Sequence, residues 1–142
     1  MLEHLANTLA WALTPLHHGG GAWLLRAGMA AVFLYSAQDK LRHHQAALSE
    51  VREGGLPLPS AMLGGTILIQ ALGGLMLLSL SPAVVTLGAL MLACFTTAAT
   101  VLFHRFWLTR GEIRQHQLTA FLEHLVMVSG LLTLAAQQSG AC

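Results

Sequence analysis

Over residues 54–103 the chain carries no Asp, Glu, Lys or Arg. A helix crosses hydrocarbon in about 20 residues, so an uncharged, apolar stretch of this length holds two membrane spans joined by a short turn. The remainder agrees: 55% of residues are hydrophobic and 9% charged, with a mean hydropathy of +0.64, against about 25% charged in soluble domains. The chain is therefore expected to be a membrane protein whose constant partner is the lipid bilayer. A net charge of +1 and the lack of any Lys/Arg-rich run exclude nucleic acid as a partner. Two cysteines, Cys94 and Cys142, form no CxxC and no metal-ligand spacing. Cys94 falls inside an apolar run, where a free thiol is expected as a small buried side chain.

In chain order, Leu2, Leu5, Leu9, Leu13 and Leu16 recur at steps of three and four with Trp11 among them, the pattern of a short amphipathic helix lying in the membrane interface. No basic residue precedes Arg26, which argues against a secretory signal. Pro15 and then His17-His18-Gly19-Gly20-Gly21 make a flexible corner that closes this segment, residues 1–21. One domain, residues 22–137, follows, with spans expected at about residues 22–38, 60–80, 83–103 and 118–137. The fold class is all-α: a polytopic four-helix transmembrane bundle with an N-terminal interfacial helix. Arg26 lies within a turn of the first span's start and can snorkel to the interface. A polar loop over residues 41–59 ends in Gly54-Gly55-Leu56-Pro57-Leu58-Pro59. The second span carries Gly64, Gly65, Gly73 and Gly74, which let backbones approach closely.

Polar groups inside such spans need partners or a purpose, because a charged side chain costs about 2.5 to 3.5 kcal/mol to insert at mid-membrane. Glu123 and His124 open the last span, and the third ends in His104, Arg105, Phe106 and Trp107. In an up-down bundle the end of span one, the start of two, the end of three and the start of four share one membrane face, which gathers Lys40, His104, Glu123 and His124 as a candidate proton- or ligand-handling cluster. Asp39, His43, His44 and Arg105 are candidates for its mouth. Thr97, Thr100 and His104 are expected to form a stripe facing the bundle. Gln70, mid-span, must bond across to another helix and is a candidate ligand contact, with Tyr35 and Trp107 at the boundary. The alternative is structural: Glu123 paired with a histidine to lock helices together.

Arg26, Phe33 and Lys40, the Gly55-Leu56-Pro57-Leu58-Pro59 turn, Gly73-Gly74-Leu75, His104 and the last apolar helix together resemble the DoxX family of small four-helix membrane proteins, over residues 22–137. Gln70 stands where that family usually has Glu, and Ala37 where it usually has Gly before the Lys. An amide there can hydrogen-bond but cannot exchange a proton at physiological pH. The resemblance implies an accessory or membrane subunit of a quinone-linked oxidoreductase system. No cofactor motif is evident, and quinone is the candidate ligand. A non-catalytic scaffold for partner proteins, or an oligomer of this chain, is the second reading. Eight histidines and six methionines raise transition-metal handling as a third, but adjacent pairs such as His43-His44 point apart, and no metal ligands are assigned.

The expected location is a bacterial cytoplasmic membrane. Lys40, Arg42, Arg52, Arg105, Arg110 and Arg114 all fall in the loops after spans one and three, and a Lys/Arg excess marks the cytoplasmic side. Both termini are then outside. A reporter enzyme that is active only outside the cytoplasm, fused after Cys142, should be active, and cytoplasmic activity would reverse the orientation.

Overall fold

A computed structural model describes residues 20–140 together with Met1, Glu3, His4 and Thr8. The expected interfacial helix falls mainly on residues outside that set, as does Cys142. Five α-helices follow in order: α1 (Gly20–Arg42), α2 (His44–Glu53), α3 (Pro59–Leu77), α4 (Pro82–Phe103) and α5 (Gly111–Ser139), with a single 3-10 turn, Phe106–Leu108, between the last two. The protein is all-α as expected. Among the described residues three stretches are long and apolar enough to cross a membrane, namely α3, Pro82–Leu108 and Gly111–Gln138. The first helix has the length but not the apolar composition, because Arg26 interrupts it and Asp39, Lys40 and Arg42 end it. Four equivalent spans are thus reduced to three, with α1 as a more polar fourth helix.

Boundaries shift for identifiable reasons. The polar segment expected as loop contains α2, a ten-residue helix that buries Ala47, Leu48 and Val51 against Leu63 at the start of α3. Those three residues share one face at helical spacing. α5 begins well before the expected residue 118, since the polar residues after Gly111 are good helix formers and Glu112 complements the dipole at the N-terminus. Helices extend through the interface into water, whereas hydropathy marks their apolar middles.

The helices pack in sequence, α1 on α3, α3 on α4, and α4 on α5. One end of the bundle is closed. There Ala30, Phe33, Leu77, Val85, Ala89, Leu92 and Leu131 form a buried core. Glycines set the spacing. A Cβ on Gly73 would stand 2.5 Å from Leu92 Cγ, one on Gly88 2.6 Å from Met76 Cβ, and one on Gly74 2.9 Å from Leu34 Cγ. Gly64 and Gly65, at the other end of α3, have nothing within 4 Å. Close packing therefore belongs to half of α3, not to all of it. Arg26 reaches back from α1 to donate to the Ser79 carbonyl at 3.2 Å, where the orphan carbonyls at the end of α3 carry partial negative charge. It is a helix tie as well as an interfacial residue.

Overpacking a close helix crossing costs about 1 to 3 kcal/mol. Gly73→Ala and Gly88→Ala should each lower the melting temperature in detergent, while Gly64→Ala should leave it unchanged or raise it slightly. Equal behaviour of the three variants in a thermal-shift series would contradict this packing.

Candidate functional site

At the end opposite the glycine seam the helices part around a cavity of about 970 Å³, within the range of small-molecule sites. Its walls are apolar, with Val32, Phe33, Ile69, Phe95 and Met127 among them. Polar side chains line it from four helices: Ser36 and Lys40 from α1, Gln70 from α3, Thr96 from α4 with His104 at its end, and Gln117 and His124 from α5. Thr66 of α3, Glu50 and Glu53 of α2, and Arg105 complete the polar lining. Arg105 also donates to the Gly54 carbonyl at 3.4 Å, tying the end of α4 to the turn after α2.

Two hydrogen-bonded chains lie on the walls. On the α1/α3 side, Lys40 Nζ donates to Ser36 Oγ at 2.7 Å, and Gln70 Nε2 donates to the same oxygen at 3.2 Å. Lys40 and Ser36 are one turn apart, and Gln70 crosses from the neighbouring helix as a mid-span amide must. On the α4/α5 side, the Thr100 hydroxyl donates to the Thr96 carbonyl at 2.6 Å, and His124 Nδ1 lies 2.9 Å from Thr100 Oγ1. His104 Nδ1 lies 3.1 Å from Gln117 Oε1. The two imidazoles meet edge to face, with centroids 4.6 Å apart and planes at 75°.

Two polar atoms on these walls are buried without a hydrogen-bond partner, Gln70 Oε1 and Thr96 Oγ1. Both residues are nearly inaccessible, at 6% and 3% exposure. Leaving such a group unsatisfied costs about 1 to 3 kcal/mol, and native proteins tolerate few of them outside sites with a use. Their position on one cavity marks it as the candidate site.

Of the expected cluster, the structure brings together Lys40, His104 and His124, and adds Gln70. It does not bring in Glu123, which is exposed on the outer face of α5 and makes no hydrogen bond or ion pair among the described residues. The supposed Glu-His lock is absent there, because neighbouring residues on a helix point about 100° apart and His124 takes the inward position. Tyr35 is 69% exposed and lies away from the cavity. Trp107 packs instead with Phe106 and Phe121 in an aromatic group that fixes the 3-10 turn on α5. Asp39 accepts from His43 at 2.9 Å on the surface, and neither it nor His44 reaches the cavity. The α4 stripe runs through Thr96 and Thr100, with Thr97 facing outward and bonded to the Ala93 carbonyl. Cys94 is exposed, not buried. Ser36 was legible as the residue one turn before Lys40. Thr96 carried no signal of its own. Among the described residues no three His, Cys, Asp or Glu side chains come together as a metal site would require.

Fold and site together define a multi-pass membrane protein with a polar-tipped cavity between its helices. The profile of the family described as methylamine utilisation protein MauE matches residues 19–110, which takes in α1 to α4 and the residues Ser36, Lys40, Gln70, Thr96, Thr100 and His104. The chain belongs to the MauE family. That match overturns the DoxX resemblance, which rested on short Gly/Pro and charged motifs that small membrane bundles share. Comparison with curated proteins gives no match, and comparison with solved structures gives none either.

Thr100→Val keeps the shape of the side chain but strands His124 Nδ1. It should cost about 1 to 3 kcal/mol, read as a lower melting temperature. Glu123→Gln should leave the melting temperature unchanged, and a loss there as large as for Thr100→Val would restore Glu123 to the buried network.

Proposed function

We propose that this protein is a membrane accessory of a quinone-linked redox system and that its cavity holds a quinone-type ring. The observation that supports this most is the pairing of unpartnered buried Gln70 Oε1 and Thr96 Oγ1 with Lys40 and His124 on one apolar cavity. A ring slots between walls such as Phe33, Ile69 and Phe95, and its oxygens meet the polar tip. Lys40 supplies charge-assisted donors, and the histidines supply ring nitrogens that can exchange protons. The family takes its name from methylamine utilisation, and we assign this chain an accessory part in that use. In this reading α1 is the fourth span, kept in the membrane by snorkelling of Arg26 and by its terminal charges, and the cavity opens toward the cytoplasmic face of a bacterial inner membrane.

A second reading, a scaffold that binds another membrane protein, is favoured by Glu123. A carboxylate on the outward face of an apolar helix is expensive against lipid and inexpensive against a protein neighbour carrying a cation.

Purification in mild detergent followed by mass spectrometry of extracted lipids tests the first reading. Wild type should carry close to stoichiometric quinone. Gln70→Leu and Lys40→Met should lose at least tenfold in occupancy while retaining a monodisperse elution profile. Quinone at the level of a detergent blank in the wild type contradicts the proposal, and a stoichiometric co-purifying protein lost in Glu123→Gln supports the second reading.

A further inference from the structure

We infer that the polar tip distinguishes the two redox forms of its ring ligand by hydrogen-bond sense, and takes the hydroxyl-bearing quinol in preference to the carbonyl-bearing quinone. This rests on the quinone-type reading above and adds to it which form is bound. Thr100 sets the hydrogen-bond sense of this wall. Its hydroxyl has one proton, and the 2.6 Å bond to the Thr96 carbonyl, a group that can only accept, commits that proton. The hydrogen between Thr100 Oγ1 and His124 Nδ1 at 2.9 Å must then sit on the imidazole. A neutral imidazole with its hydrogen on Nδ1 has a lone pair on Nε2, and Nε2 has no hydrogen-bond partner among the described residues. His104 repeats the arrangement, with Nδ1 directed at Gln117 Oε1 at 3.1 Å.

The third acceptor is Gln70. Its amide nitrogen is engaged by Ser36 Oγ at 3.2 Å, which turns Oε1, unpartnered and buried, into the group left for a ligand. His104, His124 and Gln70 all line the cavity, so the tip presents acceptors from α3, α4 and α5. Lys40 opposes them from α1, with one ammonium hydrogen on Ser36 Oγ at 2.7 Å and the others free to donate.

A quinone carbonyl can accept from Lys40, but placed at His124 Nε2 it sets lone pair against lone pair. A quinol hydroxyl donates to Nε2 or to Gln70 Oε1 and can still accept from Lys40. Sites that hydrogen-bond a substrate hydroxyl discriminate strongly against analogues that lack it, because the site's own polar groups are then left unpaired. Thr100 acts here as a positioning residue, fixing the tautomer of His124 without needing to touch the ligand.

The test uses the full chain in nanodiscs under anaerobic conditions. A short-chain benzoquinone and its quinol are titrated separately, and the midpoint potential of the bound couple is compared with that of the free one. The expected result is at least tenfold tighter binding of the quinol, which raises the bound midpoint by about 30 mV for a two-electron couple. His124→Phe and Thr100→Val should bring the ratio of affinities close to one, while Thr100→Ser, which keeps the hydroxyl, should retain the preference. Equal affinity for the two forms in the wild type overturns this inference and leaves the quinone reading standing. A preference that survives in both His124→Phe and Thr100→Val also overturns it. Binding of neither form overturns the quinone reading itself.

Discussion

The close approach of α3 to its neighbours through Gly73, Gly74 and Gly88 is the constraint on which the rest depends. In lipid there is little hydrophobic gain from bringing apolar helices together, so packing and polar contacts decide which helices meet and where. With no Cβ at these positions, Leu92, Met76 and Leu34 seat directly against the opposing backbones. The pinned end carries the buried core of Ala30, Leu77, Val85, Ala89, Leu92 and Leu131, and the other end of the same helices, where Gly64 and Gly65 face open space, parts around the cavity. α2 then folds back onto Leu63 and borders the opening with Glu50 and Glu53. A site thus follows from an uneven distribution of close contacts along α3.

That geometry gives the polar residues different roles. Those with a partner on a neighbouring helix, such as Gln70 with Ser36 and His124 with Thr100, tie the splayed ends of the helices where apolar packing is thin. The hydroxyls of Thr97, Ser129 and Thr133 bond to carbonyls of their own helices, so they can face outward without an unsatisfied group. Gln70 Oε1 and Thr96 Oγ1 fit neither category, and unlike Arg26 Nε, which is also buried and unpartnered, both belong to residues that line the cavity, which is the strongest structural argument for a ligand. The family match covers α1 to α4 and ends before His124, so one wall of the cavity lies within the matched segment and the other is completed by α5.

Membrane class, helix order and the end of the bundle shared by Lys40, His104 and His124 were legible in the sequence, because an uncharged stretch, Gly/Pro turns and up-down connectivity leave few alternatives. The inward face of each helix was not. α4 is apolar all round, so a period of 3.6 residues could not choose between Thr96 and Thr97, and the outward one was selected. The same ambiguity placed Glu123 inside with His124, although of the two only His124 lines the cavity and Glu123 is exposed. α2 escaped notice because its buried face is only Ala47, Leu48 and Val51, set among charged residues. The family assignment failed because the motifs behind it report how short membrane helices turn and pack, and other small bundles need the same turns.

The central claim is that a ring ligand sits at the polar tip between α1, α3, α4 and α5. Photolabelling with an azido-benzoquinone, followed by peptide mapping of the purified chain in nanodiscs, tests this most directly. The account predicts label concentrated on peptides carrying Ser36, Gln70, Thr96 or His124, and competed away by excess unlabelled quinol. Label confined to outward-facing positions such as Leu125 and Val126, with no effect of competitor, would contradict it.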